Sequence, residues 1–252
     1  TALKSIYAGA STALFTPDRL GNFIGRFVYL KNIDKRVVTA ATMLGNYSQL
    51  ISTITFAFVG VLLALVFNIK ITLSQINNTY LILPIAIGWI ILNYYFYNPS
   101  KLLHFIKRNK WFRKHQDTFN FLEDFSTIES TKILMFSLLR YVIFILHFYS
   151  LLIALGINIT GLETVCFSGF LYLFTTLIPS PLLGNLGTRE VIALLLLSNF
   201  ENSEMALLSS LLVWLINVII PIVIGSFFVL KILVVFTLFV SHNFMVICFY
   251  II

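Results

Sequence analysis

Uninterrupted apolar runs set the first limit on what this chain can be. Crossing the ~30 Å hydrocarbon of a bilayer takes about 20 residues at ~1.5 Å rise each. Val37 to Phe67 is the first run of that kind, and Tyr80 to Tyr97, Ile133 to Leu155 and Leu162 to Ile178 follow. Beyond Glu204 the sequence stays apolar almost to Ile252, with Lys231 as its charged interruption. A soluble domain has about a quarter of its residues charged. Here 11% are charged and 59% hydrophobic, and 25 are phenylalanine. The chain therefore reads as all-α, a polytopic transmembrane helix bundle forming a single transmembrane domain over 1–252. Cys166 and Cys248 both fall inside apolar runs, at no spacing that suggests a disulfide or a metal site. Thr1 is not an initiator methionine, and the sequence reads as one that starts downstream of its natural beginning.

Charge orients the spans. Most of the lysine and arginine lies in 18–36 and 98–132, while the linkers 68–79, 156–161 and 199–204 carry one lysine between them. The positive-inside rule puts both basic loops in the cytoplasm of a multi-pass cell-membrane protein. The alternation works if 162–199 enters and leaves on the external side and 1–30 on the internal side. Both would then be broken or re-entrant segments, pointing in opposite directions. In 98–132, Leu102, Leu103, Phe105, Ile106, Trp111 and Phe112 interleave with Lys101, Lys107, Arg108, Lys110, Arg113 and Lys114. This pattern predicts a cytoplasmic amphipathic linker between two halves, lying on an anionic leaflet. A solvated basic linker is the plainer alternative, and nucleic acid is not expected as a partner beside a bilayer.

A motif occurs twice. Thr16-Pro17-Asp18-Arg19-Leu20-Gly21-Asn22 leads to Arg26, and Pro179-Ser180-Pro181-Leu182-Leu183-Gly184-Asn185 leads through Gly187 to Arg189-Glu190. Each copy has proline, then Leu-Gly-Asn, then arginine five residues after the glycine, and each follows an apolar segment. Paired Gly/Pro breaks in two halves point to a transporter's central site and to an inverted repeat. Proline removes a helix donor and glycine admits a sharp turn. Such backbone is tolerated at membrane depth only where protein or a wet cavity satisfies it. A short helix starting near Arg189 would aim free N–H groups at that cavity, and an arginine fork suits a phosphate. The candidate headgroup site is thus Arg189, Glu190, Asn185, Gly184 and Gly187, with Arg26, Arg19 and Gly21 from the first copy. Arg26 reads equally as an interfacial anchor.

Polar residues spaced along helix faces are candidates for lining the cavity. Asn46 and Gln49 lie in the stripe Thr39, Thr42, Asn46, Gln49, Thr53; Tyr172 and Thr175 follow Ser168; Asn217 follows Trp214. Such stripes also serve as hydrogen-bond contacts between helices. On the third span Arg140 and His147 share a face, and His147 reads first as a core histidine.

At these motifs the sequence resembles the transmembrane region of lysylphosphatidylglycerol synthase and the flippase-like membrane proteins that consist of that region alone. The resemblance rests on Thr16 to Gly21 and on Ile178 to Glu190, and the layout of spans agrees over most of the chain. The family pattern leads one to expect a second glycine where Asn185 stands and an acidic residue where Asn22 stands. Residues 232–252 do not look like the family's usual ending. The resemblance implies a role in moving lipid between leaflets and argues against the synthase reaction, which a separate soluble domain performs.

The leading expectation is a protein that binds and translocates a phospholipid or other lipid-phosphate. The alternative is a membrane-embedded subunit or scaffold for a lipid-modifying or glycosyl-transferring enzyme, with a cytoplasmic or membrane enzyme as partner. No paired carboxylates, Ser-His-Asp set or metal cluster stands out, so neither enzymatic activity nor a cofactor is expected.

Overall fold

The computed structural model describes residues 2–14, 21–30, 33–69, 78–106, 120–178, 185–200 and 202–230. Among them the regular structure is helical. In chain order it comprises α1 (Ala2–Leu14), α2 (Gly21–Tyr29), α3 (Lys35–Val66), α4 (Asn78–Tyr97), α5 (Pro99–Ile106), α6 (Thr127–Ala154), α7 (Gly161–Leu177) and α8 (Thr188–Leu196). The last helix, α9 (Glu204–Leu230), winds as a π-helix over Leu215–Ile219. Of these, α3, α6 and α9 are long and apolar enough to cross a membrane. The chain divides into two compact units, Lys35–Trp214 and Thr1–Asp34 with Leu215–Ile252.

In the larger unit α3 is the central post, packed against α7, α4 and α6. Its core joins Ala57 and Val61 of α3 to Phe148 and Leu152 of α6, Phe167 and Phe170 of α7, and Leu196 after α8's last turn begins. Helices α3 and α7 approach backbone to backbone. A Cβ built on Gly169 would lie 2.6 Å from the Phe56 carbonyl oxygen, and one on Gly60 would lie 3.2 Å from Cys166 Cα. With no hydrophobic drive between helices in lipid, small residues that let backbones meet take over. Side-chain hydrogen bonds do the same for α3 and α4: Tyr47 OH donates to the Leu92 carbonyl at 2.8 Å and Trp89 Nε1 to Thr55 Oγ1 at 2.9 Å.

The outer faces invert the soluble pattern. On α6, Phe136, Leu139, Ile143 and Leu146 follow one another at helical spacing and each is more than half exposed. An apolar stripe of that kind belongs against hydrocarbon rather than water.

Two helix starts in this unit share a device. Ser126 Oγ accepts the Glu129 N–H at 3.2 Å while the Glu129 carboxylate accepts the Ser126 N–H at 2.9 Å. Thr160 and Glu163 repeat the pair at the start of α7, at 3.3 and 2.8 Å. Each box satisfies two N–H groups that a helix start leaves open. Ser126→Ala is expected to destabilise the fold by about 1 kcal/mol, read as a lower melting temperature of the purified protein in detergent.

The smaller unit has its own packing. Its α1 and α2 form a close hairpin: a Cβ on Gly25 would fall on the Ala8 carbonyl oxygen, and Thr12 Oγ1 donates to the Gly21 carbonyl. Ser11 Oγ donates to the Ile222 carbonyl at 3.0 Å and Tyr29 OH to that of Phe228 at 2.8 Å, tying the hairpin to the end of α9. Arg26 lies in the last turn of α2, and its Nε donates to Asn22 Oδ1 at 3.1 Å.

The sequence ranges for the spans agree with the helices to within a few residues, α6 starting earliest relative to its run. Of the amphipathic segment, α5 is helical, and 107–119 lies outside the described residues.

A buried ion pair at the second break

The second break is built from residues that tolerate left-handed backbone. Asn185 has φ 61° and Gly187 φ 86°. Asparagine enters that region more easily than other residues with a Cβ, and glycine at no steric cost. This explains how Asn185 stands where the family pattern leads one to expect glycine. Its Nδ2 reaches the Thr175 carbonyl at 3.4 Å, linking the break to the end of α7.

Helix α8 then begins at Thr188, with Gly187 as its cap. Gly187 has no side chain to offer, so only half of the box used at α6 and α7 exists here. Glu190 supplies it: its Oε2 accepts the Gly187 N–H at 2.6 Å. The other oxygen, Oε1, accepts from Arg189 Nη2 at 2.9 Å. Neighbouring residues on a helix do not normally face one another. They meet because Glu190 turns back to cap the helix and Arg189 follows it.

Helix α9 completes the site. Arg189 Nε donates to Ser210 Oγ at 3.0 Å, and Nη2 donates to the Ser210 carbonyl at 2.9 Å. Arg189 is 8% exposed and Glu190 5%, so the pair is buried. A lone charge at that depth is very costly; a paired and hydrogen-bonded one is tolerable. The first helical turn also favours the carboxylate through the dipole.

An aromatic and hydroxyl layer lies nearby. Tyr172 is within electrostatic range of Arg189 and Arg140. It meets Tyr141 edge-on at 5.3 Å, and Tyr141 stacks on Phe56 at 4.3 Å while its OH donates to the Ser168 carbonyl at 3.1 Å. Ser168 Oγ is buried and has no hydrogen-bond partner among the described residues.

The structure thus brings together Arg189, Glu190, Gly187 and, through Thr175 and Tyr172, the end of α7 with Asn185. Asn46 is exposed and Gln49 half-buried on α3, with no hydrogen bond to this group among the described residues. Thr39, Thr42 and Thr53 donate to carbonyls four residues back on their own helix. Thr175 does the same to Leu171. Gly184 and Arg19 lie outside the described residues. Gly21, Arg26 and Asn217 belong to the smaller unit, where Asn217 Nδ2 is buried and has no hydrogen-bond partner among the described residues. Although the two motifs match in sequence, Asn22 lies inside α2 whereas its counterpart Asn185 precedes α8, so Arg26 falls in the last turn of its helix and Arg189 in the first turn of its own. Ser210 is the partner that sequence reading missed. The signal was there as Ser209-Ser210 inside an apolar run. Among the described residues no group of three or more His, Cys, Asp or Glu could hold a metal.

Membrane-length helices with lipid-facing apolar stripes, and a buried ion pair at a break between them, define an all-α integral membrane protein. A profile for the lysylphosphatidylglycerol synthase TM region matches residues 1–225, and the chain belongs to that family. No curated protein matches it, and no solved structure does.

Proposed function

We propose that this protein binds a phospholipid, or another lipid carrying a phosphate, and helps it pass between leaflets. The observation that carries the reading is Arg189, a buried guanidinium at the broken start of a short helix in a membrane protein. Ionisable residues inside membranes are costly and mark ligand or ion pathways. A guanidinium matches a phosphate with two parallel hydrogen bonds, where an ammonium offers a point charge. Its partner Glu190 offsets that charge, which lowers the cost of holding the arginine there. Family membership supports a membrane-lipid setting for the site. The charge count reads the basic loops 18–36 and 98–132 as cytoplasmic, in a cell membrane.

The test is translocation of a fluorescent phosphatidylglycerol in proteoliposomes, read by quenching from outside. Arg189→Lys keeps the charge and removes the fork, and is expected to slow translocation roughly tenfold or more, the equivalent of one lost charge-assisted bond. Translocation at the wild-type rate by a folded Arg189→Lys protein overturns the assignment.

A further inference from the structure

We propose that Glu190 is the resident anion of this site, and that a lipid phosphate binds by taking the place of its Oε1 on Arg189. The inference rests on the lipid-phosphate reading and adds how the site is kept and released.

A guanidinium offers two forked edges to an oxyanion, Nε with Nη2 and Nη1 with Nη2. Both run through Nη2. Here Nη2 donates to Glu190 Oε1 at 2.9 Å and to the Ser210 carbonyl at 2.9 Å, and Nε donates to Ser210 Oγ at 3.0 Å. Neither edge is open to a two-oxygen ligand while these bonds stand. The contact that an anion can replace on equal terms is the carboxylate, since a phosphate oxygen can accept the same Nη2 hydrogen that Glu190 Oε1 accepts.

Glu190 has somewhere to remain when displaced. Its Oε2 already accepts the Gly187 N–H at 2.6 Å, at a helix start that favours negative charge. Losing the arginine therefore leaves the carboxylate capped rather than stranded. The Arg189–Glu190 pair by itself is neutral. Filled, the site holds one guanidinium and two anions, and the repulsion between them weakens the grip on the lipid. A carrier needs such a weakness, because a phosphate held by an unopposed buried arginine would leave slowly.

The purified full-length chain in detergent is titrated separately with phosphatidylglycerol and with inorganic phosphate, and lipid translocation is measured in parallel. Glu190→Gln is expected to tighten phosphatidylglycerol binding about tenfold and to slow translocation. A purely structural role moves affinity down or leaves it alone. Glu190→Asp keeps the charge but is one methylene too short to cap the Gly187 N–H and reach Arg189 Nη2 together; it is expected to tighten binding by a smaller factor, and it decides the matter if Glu190→Gln does not fold. A greater gain for the lipid assigns the site to a headgroup, and a greater gain for inorganic phosphate assigns it to a free anion, both by exchange with Glu190. Unchanged or weaker binding in the folded variants overturns the exchange. If the wild-type protein translocates lipid while that happens, the exchange alone fails. If it neither binds nor moves lipid, the function proposed above fails with it.

Discussion

Glu190→Ala is expected to destabilise the protein by about 3–5 kcal/mol, the usual effect of removing one member of a buried ion pair. Three things go wrong together. The Arg189 guanidinium, 8% exposed, loses its counter-ion. The Gly187 N–H loses the acceptor that caps α8. Arg189 is left bonded to Ser210 alone, so the charge is held by a hydroxyl and a carbonyl. Replacing both partners, Arg189→Met with Glu190→Met, removes the stranded charge and is expected to recover most of that loss, because an apolar pair of similar volume needs no counter-ion. Thermal melts of the single and double variants in the same detergent check this. A Glu190→Ala protein that melts within a degree of wild type would show that the pair does not hold α8 to α9.

The second large effect belongs to Gly169. A Cβ there would meet the Phe56 carbonyl oxygen at 2.6 Å and Ala57 Cα at 3.1 Å. Both are backbone atoms of α3, so no side chain can swing aside; the helices must separate. Overpacking of this kind costs about 1–3 kcal/mol. It must also overcome the ~1 kcal/mol that alanine normally gains over glycine inside a helix. Gly45, with nothing within 4 Å of a built Cβ, is the matched control on α3. Gly169→Ala should lower the melting temperature and Gly45→Ala should raise it. The same sign for both would mean that α3 and α7 do not approach as described.

These two effects show different degrees of legibility. The helices were readable because membrane spans are long apolar runs: α3 lies within two residues of its run at both ends, as does α4. The helix starts at Ser126 and Thr160 also carry a local signature, Ser or Thr followed by Glu three residues later, which was open to inspection. The contact at Gly60 and Gly169 was not readable. Glycines at 45 and 88 lie in similar apolar helices with open space around them, and only a partner helix tells the two kinds apart. The partners of the polar stripe on α3 were not readable either. Its threonines donate to their own helix, and Asn46 is exposed.

For the site, the sequence named Arg189 and Glu190 through an intramembrane charge beside proline and glycine, and it placed Glu190 in the first turn of a short helix. It also suggested that the two motifs are equivalent. Tertiary structure separates them: Arg26 closes α2 on Asn22 Oδ1, while Arg189 opens α8 against Glu190 and Ser210. A motif records residue order, and where a helix starts within it depends on which N–H groups find acceptors.

By itself, the sequence determined that this protein lives in a bilayer as a set of helices, because hydrocarbon thickness and backbone hydrogen bonding demand runs of a length that can be counted. It determined where two of those runs are broken, because proline, glycine and an uncompensated charge are local facts. Only the tertiary structure decided what the charge pairs with. Ser210 lies 21 residues from Arg189 in the chain and 3.0 Å from it in space, and a buried ion pair is settled by such neighbours, since each donor must find an acceptor that sequence order does not supply.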